Sequence, residues 1–207
     1  MVLGSAEQAV ALYMKTLRMA RDYANLFTLA NCLTYAALLH HLCGDVQKTS
    51  AYAEEALALS IKHGFPQLSS LASLLQAWVL VQNDHVAEGI IHMQEAIVQW
   101  EASGAELATA HYICLLTEAY LRAGQYEQAW QASEKAFTLL EAGPFWEAEL
   151  HRLRGELLIR RGSKAAEIEA CFQQAFATAR RQGAKPLALR AATSWGRWYT
   201  QLGKHAD

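Results

Sequence analysis

Apolar residues recur along this chain at intervals of three and four, and small or polar residues break the rhythm at regular points. The stretch LFTLANCLTYAALLHHL, 26–42, keeps the rhythm until Gly44 and Asp45 interrupt it, and QKTSAYAEEALALSIKH resumes it up to Gly64. Such spacing places apolar side chains on one face of a helix, whereas the period-two alternation of a strand is absent over any comparable length. The pattern predicts helices near 5–22, 26–42, 46–63, 67–82, 85–102, 106–122, 126–141, 145–161, 165–181 and 187–202.

The breaks repeat as well. Gly64, Gly104, Gly143 and Gly183 form one series, with Ala24 standing before the first of them. Ala56, Ala96, Ala136 and Ala175, within EEAL, QEAI, EKAF and QQAF, form a second, and Asp45, Asp84, Gln125, Ser163 and Lys204 a third. All three series share a period of 38 to 41 residues, which is the signature of a stacked repeat. Each period holds two helices joined by a few residues, and linkers that short force neighbouring helices to lie antiparallel. Glycine closes a helix in the left-handed conformation at little steric cost, and Pro66, Pro144 and Pro186 follow such glycines, at the corners between repeats. The expected fold is all-α, a right-handed superhelical solenoid of antiparallel helix hairpins. It comprises a half repeat at 5–24, repeats at 26–64, 66–104, 106–143 and 145–183, and a final helix at 187–202. Two separate bundles are the alternative, but no Gly/Ser-rich or Pro-rich linker divides the chain and the period passes residue 100 without a change of phase, so 1–207 is expected to be a single solenoid.

Composition narrows the setting. With 53% hydrophobic and 18% charged residues, the 207-residue chain is folded rather than disordered. LASLLQAWVLV, 71–81, is too short to span a bilayer and is expected to be a buried helix. The beginning, MVLGSAEQAVALYMKTLRMAR, lacks the order of a secretion signal, because its basic residues follow the apolar ones. The four cysteines, at 32, 43, 114 and 171, have neither disulfide nor zinc-like spacing, so a reducing cytoplasmic setting without membrane contact is expected. Charge is uneven: residues 1–150 hold 7 Lys/Arg against 16 Asp/Glu, a formal −9, and residues 151–207 hold 11 against 4, a formal +7. Either helical surfaces carry this unevenness without consequence, or the arginine-rich end faces an acidic partner or the acidic half of another copy. No nucleic-acid motif accompanies the arginines, and direct nucleic-acid binding is not expected.

Candidate chemistry is sparse. His40, His41 and Cys43 form the most metal-like cluster, yet adjacent helical residues point about 100 degrees apart and at most two of the three converge, so no metal and no cofactor is expected. His111, Cys114 and Glu118 lie along one helix face, whereas a nucleophile, its base and its orienter must converge from different directions. GxxxxGK, HExxH, GxSxG and EF-hand patterns are missing, and no enzymatic activity is expected. Most of the six tryptophans are expected to fill space between helices, with Trp78 set apart as a residue near the groove.

Spacing and markers together resemble tetratricopeptide-type repeats, in the longer form of about 40 residues found in the C-terminal regions of bacterial signal-transduction ATPases and of LuxR/MalT-type transcriptional regulators. The most specific part is FWEAELHRLRGELLIRRG followed by AEIEACFQQAFATARRQGAKPLALRAATSWGRWYTQLGK, within residues 145–204, which is similar to the helical tail of predicted ATPases that often carry an adenylate-cyclase domain. The resemblance implies a protein-interaction or regulatory surface, with nucleotide chemistry belonging to other domains, of which no counterpart is found in this chain. Asn83 and Asp84 depart from the pattern, standing where glycine is usual. HAD ends the chain where the family continues into another helix, which predicts an uncovered apolar side at Trp195, Trp198 and Tyr199 and pairing of two copies through this C-terminal helix.

In a stack of this kind the first helix of each hairpin lines the inner wall. Aligned on the tetratricopeptide pattern, the inward positions are Asn31, Thr34 and His41; Trp78 and Gln82; His111, Glu118 and Arg122; Arg152, Glu156 and Arg160; and Arg190, Thr193 and Arg197. A groove with arginines at one end suits a protein or an extended peptide bearing acidic groups, since arginine offers paired hydrogen bonds to a carboxylate. The alternative is a small effector bound in an enclosed pocket walled by Trp78, against the open trough that a peptide requires.

Overall fold

The structure, a computed structural model, describes residues 6–23, 25–105, 108–140 and 144–203. Among these residues ten α-helices follow one another and no strand occurs: α1 (Ala6–Asp22), α2 (Leu26–Leu42), α3 (Val46–His63), α4 (Pro66–Gln82), α5 (Val86–Ala102), α6 (Thr109–Arg122), α7 (Tyr126–Thr138), α8 (Glu147–Arg160), α9 (Ala165–Arg181) and α10 (Lys185–Gln201). A 3₁₀ turn, Pro144–Trp146, leads into α8. The chain divides into two compact units, the first reaching Tyr112 and the second beginning at Ile113, and the division falls inside α6. In the first unit α1 to α5 pack consecutively, and α2 also meets α4 across the intervening hairpin. In the second, α7 to α10 pack consecutively and α8 also meets α10. Consecutive antiparallel packing of this kind is the construction of a helical solenoid.

The two helix classes differ in how they are buried. α2 and α4 are covered on several sides, with Ala30, Leu33, Ala37 and Leu74, Leu75, Val81 all nearly inaccessible, so their apolar residues run almost around the helix. α3, α5, α7 and α9 bury one stripe at spacings of four and three: Thr49, Ala53, Ala56, Ser60; Gly89, Met93, Ala96; Ala129, Ser133, Ala136; Ile168, Phe172, Ala175, Ala179. The repeated alanine therefore faces inward every time. Gly89 allows α5 to approach α4 closely, because a Cβ there would stand 2.5 Å from Val81 Cγ2 and 2.9 Å from the Ala77 carbonyl oxygen. Gly155 does the same for α8 and α9, its missing side chain being replaced by the Phe172 ring.

Helix ends show where sequence expectation and structure part. Asp84, in a position where glycine is usual, takes the left-handed conformation itself (φ 65), and the amide of His85 still donates to the Leu80 carbonyl at 3.0 Å, so the turn stays tight. α6 begins at Thr109 rather than near 106, because Ala108 is left-handed (φ 69) and breaks the helical path. α8 begins at Glu147 rather than 145, the Pro144 corner being taken up by the 3₁₀ turn. α7 ends at Thr138, capped by Leu139, short of the expected 141. Residue 141, and Gly143 and Ala24 of the glycine series, lie outside the described residues.

Three buried threonine hydroxyls are satisfied locally. Thr34, Thr49 and Thr117 donate to the carbonyls of Ala30, Asp45 and Ile113 four residues upstream, at 2.7 to 2.8 Å. Two imidazoles are held neutral. Burial pushes His40 below its ordinary 6.5, Asp45 opposing the shift at 3.6 Å and Lys48 reinforcing it. Burial does the same to His151, with Glu147 opposing and Arg154 reinforcing. Both rings take up a proton in the unfolded chain near pH 6.5 but resist it in the folded one, so their contribution to stability is intact above that pH and declines below it. The thermal midpoint is expected to fall between about pH 7 and about pH 5.5, and less steeply in a His40→Gln, His151→Gln variant. Differential scanning fluorimetry across a pH series checks this, and equal slopes for the two proteins would refute it.

Candidate functional site

The first unit carries an open trough of about 410 Å³. One helical face of α2 supplies Phe27, Asn31 and Tyr35, spaced by four; the corner before α4 supplies Phe65; α4 adds Pro66, Gln67, Leu68 and Leu71; the end of α5 adds Trp100 and, just past it, Ser103. Phe27 is 52% exposed, within a first turn where Leu26 and Thr28 are exposed too, and Tyr35 is 42% exposed between the buried Thr34 and Ala36. Phe27 meets Phe65 edge to face at 5.2 Å. Trp100 stands edge to face with Tyr112 at 5.0 Å, and its indole Nε1 donates to Thr109 Oγ1 at 3.2 Å. These contacts hold Phe27, Phe65 and Trp100 in place.

The inward positions expected in this unit are only partly exposed. Asn31 lines the trough. Thr34 is fully buried and His41 and His111 nearly so. Trp78, expected near a groove, is 7% exposed, with His41 edge-on at 4.4 Å; His41 in turn lies 5.5 Å from His111. The three rings pack on one another as core, because each is large and weakly polar and together they close the space between α2, α4 and the start of α6. Gln82 is partly buried at the end of α4. His40 stacks on Tyr52 at 5.4 Å while His41 turns to Trp78 and Cys43 is exposed, so the metal-like trio points in separate directions.

The second unit brings several expected residues together around a cleft of about 310 Å³, lined by Glu118, Arg152, Leu189, Arg190, Thr193, Ser194 and Arg197. Arg152 is buried and forks onto Glu149, with Nε 3.1 Å from both carboxylate oxygens and Nη2 2.7 Å from Oε1. Its Nη1 donates to Ser194 Oγ at 3.2 Å and lies 3.6 Å from Glu156. Arg190 reaches Glu118 at 3.0 Å and Glu149 at 2.9 Å. Burial works against the charge of Arg152, but the Glu149 carboxylate, with Glu118 and Glu156 behind it, overrides this and holds the guanidinium firmly protonated. Glu149, which sequence reasoning passed over, is thus the centre of a network joining α6, α8 and α10. Its signal was present as the Glu149, Arg152, Glu156 spacing along one face of α8. Arg160, Thr193 and Arg197 are exposed, as is Arg122 at the end of α6.

Charge balance changes accordingly. The sign change drawn at residue 150 falls inside the second unit, where arginines meet acids from neighbouring helices: Arg154 with Glu134, Arg161 with Glu127 at 3.3 Å, Arg181 with Glu147 at 3.1 Å. Arg154 and Arg161 also lie over the Trp130 ring, at 3.9 and 4.3 Å. Cys114 is buried, and burial, followed by the nearby Glu149 and Glu118 charges, pushes its thiol well above the ordinary range, which disfavours the nucleophilic thiolate. The expectation of an uncovered aromatic side on α10 is corrected: Trp198 is buried with Ile168 and Phe172, and Trp195 and Tyr199 pack against that cluster. The 3.6-residue period puts Ala191, Ser194 and Trp198 on the covered face, and Tyr199 donates to Glu169 from the edge. What α10 turns outward is Leu189, Arg190, Thr193 and Arg197.

No protein-family model matches the chain. An uncharacterized protein of Rhizobium meliloti (strain 1021) is 26% identical over 152 residues, which are 72% of this chain and 15% of that protein. The chain thus matches only a small part of a much longer relative. Among solved structures, BtubC (BKLC) from P. vanneervenii superposes with a TM-score of 0.63 at 15% identity, over 99% of this chain and 95% of that one, a likeness of fold.

Proposed function

We propose that this chain is a protein- or peptide-interaction scaffold acting in the cytoplasm, the regulatory repeat region of a larger bacterial signalling or transcription-regulating protein, with no catalysis of its own. The observation that carries the reading is the open trough of the first unit, where the aromatic rings of Phe27 and Tyr35 stay exposed beside apolar Leu68 and Leu71. Exposed aromatics held by neighbouring rings are the usual anchors of protein contacts. The tetratricopeptide-like spacing supports the scaffold role, and the relative from Rhizobium meliloti, in which the matched stretch is 15% of the length, supports a place within a longer protein. An acidic partner at the arginine end has less support, because the buried Arg152 and the exposed Arg190 are already engaged by Glu149 and Glu118. A small effector enclosed by Trp78 has less support still, since that ring is packed in the core.

Selection from a random peptide display library tests the reading. The purified chain is expected to enrich a peptide class that a Phe27→Ala, Tyr35→Ala variant of unchanged helicity fails to enrich. Equal enrichment by both proteins, or none by either, contradicts it.

A further inference from the structure

The trough of the first unit has a chemistry that narrows its occupant, an inference that rests on the scaffold reading. α2 (LFTLANCLTYAALLHHL) and α4 (PQLSSLASLLQAWVLVQ) contain no Asp, Glu, Lys or Arg, and none of the residues lining the trough carries a charge. A charged ligand group laid between them gives up water for no countercharge. The walls instead offer flat apolar rings, and among them stand side chains that can donate hydrogen bonds: the amides of Asn31 and Gln67 and the hydroxyl of Tyr35.

We propose that this trough docks an uncharged, proline-rich extended segment. A polyproline II helix makes no internal hydrogen bonds, so its carbonyls point outward, and its prolines have no N–H to satisfy. It is therefore an acceptor-only ligand with apolar ring faces, the complement of a charge-free surface that supplies donors between aromatic rings. The prolyl rings lie against Phe27, Tyr35 and Phe65, and Asn31 and Gln67 take the carbonyls between them. A helical occupant uses its carbonyls internally and leaves those donors without a role. The segment is extended before it binds, and Phe27, Phe65 and Trp100 are already held by Phe27–Phe65 and Trp100–Tyr112 contacts, so little ordering of these rings is required.

Fluorescence anisotropy with three labelled peptides of equal length tests the proposal: one of proline and alanine, one uncharged and free of proline, and one in which glutamate alternates with proline. Saturable binding is expected for the first, weakened at least about tenfold by Phe27→Ala and by Tyr35→Glu, both at exposed positions, and unchanged by Arg197→Glu in the second unit. Circular dichroism and unfolding midpoints of each variant verify that the fold is kept. If the proline-free peptide binds equally and is lost in the same variants, the scaffold reading stands and the proline assignment fails. Tighter binding of the acidic peptide overturns the assignment as well. So does binding of the proline peptide that neither trough variant weakens, or absence of its binding while the display selection still enriches peptides on the trough. No binding of any peptide, together with no enrichment from the library, overturns both readings.

Discussion

Glu149→Ala is expected to destabilise the chain by about 3–5 kcal/mol, the largest effect of any single polar substitution, because it leaves a buried guanidinium without its principal countercharge. Arg152 and Glu149 are both enclosed, and the fork between them supplies three of the hydrogen bonds that Arg152 makes. Arg190 loses one of its two carboxylates in the same substitution. The contrast with a double variant is informative. Replacing Glu149 and Arg152 together by Leu and Met removes both charges and is expected to return stability to within about 1 kcal/mol of the parent, since two desolvated ions are exchanged for apolar packing. Urea unfolding of the three proteins measures both effects. A loss below about 1 kcal/mol in the single variant would mean that water reaches Arg152 and that the network is a surface feature.

Ala136→Leu is expected to cost up to about 3 kcal/mol, by overpacking. Ala136 is fully inaccessible and sits among Ile113, Cys114, Leu150 and Leu153, where α6, α7 and α8 converge. A leucine has nowhere to extend without separating these helices. The same cost is expected at Ala56 and Ala175, which are equally enclosed, and a serine at these sites should cost less than the leucine because added volume weighs more here than added polarity. Chemical denaturation midpoints decide it; an Ala136→Leu midpoint equal to the parent's would place this side chain at the surface.

Periodicity made the helices legible to within a few residues, because the physical cause of each boundary, a left-handed residue or a proline in the first turn, is written locally in the chain. The misses come from the same source. Ala108 is left-handed without being glycine, so nothing local announces that α6 starts at Thr109. Inward-facing positions were legible only as positions. Alignment marks Thr34, Trp78 and His111 as inward, yet whether an inward residue lines a groove or is roofed over depends on the size of its neighbours, and here the rings of His41, Trp78 and His111 roof one another. Phe27 and Tyr35 share the face of Asn31 at a spacing of four and could have been read with it; Phe65 and Trp100 could not, since they arrive from other parts of the chain. Counting charge on either side of residue 150 missed that acids at 118–149 lie opposite arginines at 152–190 within one unit.

The central claim is that recognition takes place at the charge-free aromatic trough of the first unit and not at the arginine-rich cleft of the second. An amide and indole NMR titration of the chain with the proline–alanine peptide tests this most directly. The account predicts concentration-dependent shifts at Phe27, Asn31, Tyr35, Gln67 and the Trp100 indole, with resonances of Arg190, Thr193 and Arg197 unmoved. Shifts confined to the residues around Arg190 and Arg197, with the trough silent, would contradict it.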